Sequence, residues 1–305
     1  MRKLPAVLAA AALVTLALAG CSAGGAPTCE RAASSSDIGS LVSVSGAVGT
    51  QPEVSVSTPL HVSGTEVADV VAGSGTTLVS DDQDVALGLT ILSADTGDVL
   101  TQEGYDSLDD VTTVSQWASA IPGLEQALMC AAEGSRIVVG LDATALGSSA
   151  STLGLGQDDS AVAVIDVRKV YLSAADGADQ YNAGFGLPVV VYAPSGQPGV
   201  IVPDAAAPTD TVVQLLKKGD GEVATAADTV RVNYTTVAWD TKTVTGTSWG
   251  DAPYQLDLSA TDSISQAVVG QTVGSQLMVI LPAGSSETGS TSAQVFVIDI
   301  LGVDG

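Results

Sequence analysis

One histidine, His61, and three cysteines, Cys21, Cys29 and Cys130, are all that this 305-residue chain holds of those two types. Zinc clusters and multi-histidine chemistry need more such ligands, so both are excluded. Serines are plentiful, yet a Ser-His-Asp hydrolase would have to recruit His61, and no G-x-S-x-G elbow occurs. His61 reads as a surface residue ahead of a strand. Gly73-Ser74-Gly75 is no phosphate loop, because no G-K-[ST] follows it. The acidic runs Asp81-Asp82-Gln83-Asp84 and Asp109-Asp110 lack EF-hand spacing and a bidentate Glu, and read as solvated turns. No cofactor and no metal are implied. Aromatic residues make up 4% of the chain, so each one weighs in any reading of a binding surface. Trp239 and Trp249, with Tyr254 nearby, read first as core or loop anchors and second as a peptide-binding rim, and Trp117 reads first as a surface or core residue and second as a residue filling a hollow at the start of the first unit's helix.

Acidic residues outnumber basic ones 34 to 10, a formal charge of −24. Nucleic acid is thereby excluded as a partner, since phosphate contacts need clustered Lys and Arg. Only 14% of residues are charged while 46% are hydrophobic, enough to bury two cores at this length.

Met1-Arg2-Lys3 starts the chain with positive charge, and Leu4 to Gly20 is apolar apart from Thr15. The run is short for a bilayer span and reads as a secretory signal. Its end, Leu18-Ala19-Gly20-Cys21, resembles the lipobox of bacterial lipoproteins. That likeness implies cleavage before Cys21, a lipid on its thiol, and a membrane-anchored protein outside the cytoplasm. With Cys21 lipidated, Cys29 and Cys130 remain as a pair in an oxidising compartment. A disulfide between them would contribute up to ~4–5 kcal/mol by loop closure, and two free buried thiols are the alternative. Residues 21–51 read as a flexible tether, rich in Gly, Ala and Ser.

The rest of the chain contains itself twice. Val85, Leu87, Leu89 and Ile91 parallel Val230, Val232 and Tyr234; Gly134-Ser135 with its following strand parallels Gly274-Ser275; Val162 to Val167 parallels Val295 to Ile300. Most elements alternate apolar and polar residues, as half-buried strands do. One stretch per repeat breaks that period. Leu124, Ala127 and Leu128 share a helical face after Ile121-Pro122-Gly123, and Ile264 to Val269 fills the same slot later. The expectation is an α+β fold with two units, 52–171 and 188–305, joined by a linker at 172–187.

This order of elements resembles the FKBP-type peptidyl-prolyl cis-trans isomerase. Val232-Asn233-Tyr234-Thr235 is similar to the family's V-H-Y-T strand. Trp239-Asp240-Thr241-Lys242 stands where a D-G-K turn is usual, and Val273-Gly274-Ser275 and Leu281-Pro282 resemble the V-G-[ES] turn and the [IL]-P-P segment. Ile121-Pro122-Gly123 keeps the I-P-G that opens the helix. Secreted actinobacterial lipoproteins with tandem domains of this family would fit, and the Ala/Val/Gly-heavy composition agrees. The resemblance implies two FKBP-like domains, each an antiparallel sheet curled around one short helix.

It also implies a site. In the family an aromatic cup seats a prolyl ring, with Tyr, Phe and Asp walls, a Trp floor at the helix start and a Tyr lid. In the second unit Tyr234 matches a wall, Thr245-Gly246 replace Phe-Asp, Ala267 takes the floor and Thr288-Gly289 the lid. Val244, Ile264 and Ala267 are expected as apolar lining beside Tyr234. The first unit carries Leu89, Leu100-Thr101, Leu124 and Leu146-Gly147 at those places. By resemblance the protein is an isomerase acting on X-Pro bonds of secreted chains, its partners proline-containing or unfolded polypeptides outside the cytoplasm. The alternative is a peptide- or protein-binding lipoprotein on the same scaffold without turnover.

Overall fold

The computed structural model describes Cys29 and residues 37–304, apart from Asp109 and Ala183. The signal segment and Cys21 lie outside the described residues. From residue 37 on, the chain belongs to one compact unit.

A hairpin comes first. Helix α1 (Ile38–Leu41) leads into β1 (Val42–Ser45), which pairs antiparallel with β2 (Glu53–Val56). Then follow β3 (Thr65–Val71), β4 (Asp84–Ser93), β5 (Val99–Glu103), β6 (Val111–Thr113), helices α2 (Val114–Ala120) and α3 (Gly123–Leu128), β7 (Arg136–Asp142), helices α4 (Ala143–Leu146) and α5 (Ser149–Thr152), and β8 (Ser160–Val170). The second half runs β9 (Ala178–Asp179), hairpin strands β10 (Val189–Tyr192) and β11 (Pro198–Ile201), β12 (Val212–Lys218), β13 (Thr229–Ala238), β14 (Val244–Thr247), β15 (Tyr254–Asp257), α6 (Ser263–Val268), β16 (Gln276–Leu281) and β17 (Gln294–Val303).

The two large sheets repeat each other strand for strand. The first is ordered β3-β7-β8-β4-β5 with β6 also on β4; the second is β12-β16-β17-β13-β14 with β15 also on β13, and β9 added at the β12 edge. Even the irregularities recur. The β4–β8 register slips between Ala86 and Leu87, and β13–β17 slips between Arg231 and Val232. Slips between Ile91 and Leu92 and between Thr236 and Val237 mark the β5 and β14 pairings. A bulge inserts a residue and bends its strand, so matching bulges give both sheets the same curl.

Each sheet is covered on both faces, which corrects the expectation of half-buried strands around a helix alone. In β16, Leu277, Val279 and Leu281 pack toward α6, while Met278 and Ile280 pack beneath the β10–β11 hairpin beside Trp239 and Val202. In β7 and β8, Ile137, Val139, Ile165 and Val167 face the helices, and Val138, Val162 and Val164 face the β1–β2 hairpin with Val42 and Ile38. Continuous Val/Ile/Leu runs are what strands buried on two sides require. The tether expected through residue 51 is therefore folded from Ile38 onward, because Ile38 and Val42 bury against the sheet. The linker expected at 172–187 is likewise stitched in: Tyr171 and Ala175 are buried, and β9 pairs with β12. The first half also has more than the one helix expected, since α2, α4 and α5 accompany α3.

Local signals explain the helices. The Thr113 hydroxyl accepts from the Gln116 amide, and the Gln116 side chain accepts from the Thr113 amide, a capping box at the start of α2. In α6 the Asp262 carboxylate accepts from the Ile264 and Ser265 amides. Leu124, Ala127 and Leu128 of α3 are all buried.

Both hairpins are fastened from the same sheet position. Arg136, at the start of β7, pairs with Asp166 at 2.6 Å and donates to the carbonyls of Gly46, Ala47 and Thr50 in the first hairpin's turn. Gln276, at the start of β16, donates to Asp299 at 2.6 Å and accepts from the Tyr192 hydroxyl of the second hairpin. Asp299 also accepts from the Ala175 amide at 2.8 Å. Burial pushes the Asp299 carboxyl up to about 6, against the pull of the Ala175 and Gln276 amides and the Lys217 ammonium.

A carboxyl whose folded pKa lies above its unfolded one holds its proton longer in the folded state. The folded state then loses ground as pH rises from about 4 to 6, and the loss is complete above that window. Asp299→Asn removes this dependence. The stability difference between variant and wild type should move in the variant's favour by about 1–3 kcal/mol between pH 4 and 6.5, read from urea midpoints. A difference that stays flat would refute the assignment.

Candidate functional site

A cavity of about 480 Å³ opens on the α6 side of the second sheet. Alternation decides its walls, because every second residue of a strand faces the same way. Strand β13 contributes Val232, Tyr234 and Thr236; β17 contributes Phe296 and Ile298; β15 contributes Tyr254 and Leu256. Thr245 and Gly246 come from β14, and Ile264 with the cap residue Asp262 from the start of α6. Tyr234 and Tyr254 meet edge to face, centroids 5.9 Å apart and planes at 86°, a favoured geometry for ring pairs. Three aromatic rings thus line one hollow: Tyr234, Tyr254 and Phe296.

Of the two helix residues expected beside Tyr234, one lines the cavity. Ile264 lines the cavity, whereas Ala267 packs against the core of the second sheet and is not in the lining. Residues three apart share a helix face, so a slip of one turn leaves the sequence pattern unchanged. Val244 is 61% exposed and also outside the lining, since its neighbour Thr245 faces the cavity. Thr245 and Gly246 stand on the β14 side, and a Cβ built on Gly246 would touch the Tyr234 ring at an ordinary 3.6 Å. The cup is open there, with no ring and no carboxylate. Sequence reasoning names Tyr254 only beside a tryptophan rim and misses Phe296, because their approach to Tyr234 depends on the β15–β13 and β17–β13 registers. Pairing of Val232 with Tyr254 and of Thr236 with Phe296 brings them in, and the alternating Phe296–Ile298 pattern is the signal that points to them.

Asp262 supplies the cavity's charge. Burial alone would raise its carboxyl, but hydrogen bonds from the Ser265 amide and hydroxyl and the Ile264 amide outweigh it and hold the group below the usual range. The loop after β16 reaches the same helix end: Ser263 donates from its amide and hydroxyl to Glu287 at 3.1 and 2.9 Å. Thr288, expected at the lid, lies beside this tie and is not in the lining.

In the first half the matching hollow is filled. The shared register pairs Leu89 with Ile165 as it pairs Tyr234 with Ile298. Leu89, Leu124 and Leu146 are each at most 1% exposed and belong to one core cluster, with Leu100 and Trp117 packed against it. Leu146 comes from α4, in the loop that follows β7. Trp117 is therefore a packing residue, and Trp239 is buried under the second hairpin with its indole N–H donating to the Ala205 carbonyl at 3.0 Å. His61 is exposed ahead of β3. Cys29 and Cys130 are both disulfide-bonded. Among the described residues no group of three His, Cys, Asp or Glu side chains gathers as a metal site, and no helix is long and apolar enough to cross a membrane.

No protein-family model matches the chain. Among solved structures it is similar to the three FKBP domains of wheat FKBP73, at 11% identity and a TM-score of 0.33 over 79% of this chain and 94% of that one. It is also similar to the peptidyl-prolyl cis-trans isomerase of Pseudomonas syringae, at 16% identity and a TM-score of 0.25 over 31% of this chain and 76% of that one. A curated protein from Streptomyces anulatus, described as an FK506-binding protein, is 32% identical over 120 residues, which cover 35% of this chain and 97% of that protein. With nearly the whole of that relative matched at this identity, the chain belongs to the FK506-binding protein family.

Proposed function

We propose that the cup on the second sheet seats a prolyl ring and speeds rotation about the X-Pro bond before it. The observation that carries this reading is the convergence of Tyr234, Tyr254 and Phe296 on one largely apolar hollow. Rotation about an X-Pro amide is slow because resonance must be broken, at a barrier of ~18–20 kcal/mol. No nucleophile is needed. A dry cup that holds the ring while the amide twists favours the transition state over either planar form. On this reading the first half is a companion domain whose hollow has been given over to packing by Leu89, Leu124 and Leu146. The two repeated sheets are then two domains of one origin, a reading their shared strand order supports.

The lipobox-like end at Cys21 supports an N-terminal lipid anchor and a workplace at the outer face of a membrane, on the X-Pro bonds of secreted chains. The two bonded cysteines support a Cys29–Cys130 bridge, in keeping with an oxidising compartment.

A second reading has its own observation. Thr245 and Gly246 leave the β14 wall without a ring or an acid, which suits a module that holds extended chains without turning them over. Cis-to-trans exchange of a Leu-Pro peptide, followed with the full chain, separates the two. The first reading expects a rate that climbs with protein concentration. An uncatalysed rate with retained binding of an unfolded protein selects the second, and loss of both rejects each.

A further inference from the structure

Tyr234 and Tyr254 line a second cavity as well, of about 460 Å³. Its other walls include Arg231 on β13, Ser248 just past β14, Asp251 in the following turn and Gln255 on β15. The two hollows thus share a wall made of one ring pair, while a polypeptide advances at most ~3.3–3.6 Å per residue. A chain with one residue in the apolar cup therefore has a near neighbour within reach of the polar one.

The polar groups of this second hollow are nearly all committed. Arg231 pairs with Asp84 at 3.0 Å and with Asp304 at 2.9 Å. Gln255 donates to Asp304 at 3.0 Å, and the Ser248 hydroxyl donates to Asn233 at 2.9 Å. Asp251 differs. It is exposed, and among the described residues no cation pairs with it. Its charge is felt nearby: the Asp82 carboxyl is pushed up by burial first, and then by Asp81 and Asp251. The guanidinium of Arg231 is already outnumbered by its two carboxylates. A cation entering here meets uncompensated negative charge, and an anion is repelled.

We propose that the second cavity is a subsite for a lysine or arginine side chain flanking the proline held in the cup, with Asp251 as its counter-charge. This rests on the prolyl reading of the first cavity and adds to it a preference for basic sequences.

The test is a binding series on the full chain at low ionic strength. Lys, norleucine or Glu is placed in turn at the two positions on either side of a Leu-Pro core. At one of those positions the Lys peptide should bind about fivefold more tightly than its norleucine twin, with Glu weaker than both. Raising salt to about 0.5 M should shrink that ratio, because the screening length then falls well below its ~10 Å at 0.1 M. Asp251→Asn should bring the ratio to one, and Asp251→Lys should turn it toward Glu. Prolyl peptides that bind without any charge preference would overturn the subsite and leave the cup standing. A Lys preference that survives replacement of Pro by Ala would keep the subsite and overturn the cup, whereas no binding by any peptide would sink both. A preference untouched in Asp251→Asn would overturn the role given to that residue.

Discussion

Arg136→Met should cost the fold ~3–5 kcal/mol, the largest single loss expected outside the apolar core. Arg136 and Asp166 are 1% and 0% exposed, and two nitrogens of the one meet both oxygens of the other at 2.6 Å. Removing the guanidinium leaves a buried carboxylate answered, among the described residues, by the Gly49 amide at 2.6 Å. It also frees the carbonyls of Gly46, Ala47 and Thr50, so the β1–β2 turn should exchange its amide hydrogens faster than the β7–β8 ladder. Arg136→Gln should cost less, because Gln276 serves Asp299 in this way in the second sheet. The double variant Arg136→Met with Asp166→Leu should recover much of the loss, since an apolar pair needs no compensation. Denaturant midpoints decide it; a single variant within about 1 kcal/mol of wild type would mean that the pair is not what fastens the hairpin.

The other large effect falls on activity. Phe296→Ala should lower kcat/KM for a Leu-Pro peptide roughly thirtyfold, the scale of about 2 kcal/mol expected when a buried aromatic anchor is truncated. Phe296 faces the same hollow as Tyr234 and Tyr254, so its loss opens the cup to water from the β17 side. Tyr234→Phe should keep most of the rate, because the ring and not the hydroxyl shapes the wall. Leu89→Ala, at the matching place in the first half, should instead lower stability by ~2–5 kcal/mol, with the rate of the folded fraction maintained. Wild-type rates in Phe296→Ala would remove the cup from catalysis altogether.

Particular residues show how much of this is legible without coordinates. The helix after Ile121-Pro122-Gly123 is legible because its signals are local: Leu124, Ala127 and Leu128 on one face. Tyr234 and Ile264, named from family likeness, are among the residues that line the cavity. Ala267 is one turn too far along, and helical spacing cannot distinguish the two. Strand β1 and the turn after it read as tether because a Ser-, Gly- and Val-rich segment such as Val42 to Thr50 announces burial only through partners far along the chain, Leu92, Val138 and Val162 among them.

Residue type and short spacing are enough to show most of the long strands, the helices that begin at Gly123 and Ser263, and that the order of elements is repeated. They also give the chain its excess of 34 acidic over 10 basic residues and its one histidine. Local backbone preference and charge depend on little else. Which of the two like hollows stays open is a matter of long-range packing. Leu146 folds into the first from a loop helix, while Tyr254 and Phe296 are carried to the second by strand register. Side chains from segments distant in the chain meet only when sheets close, and a one-residue change of register would have turned those rings to the opposite face.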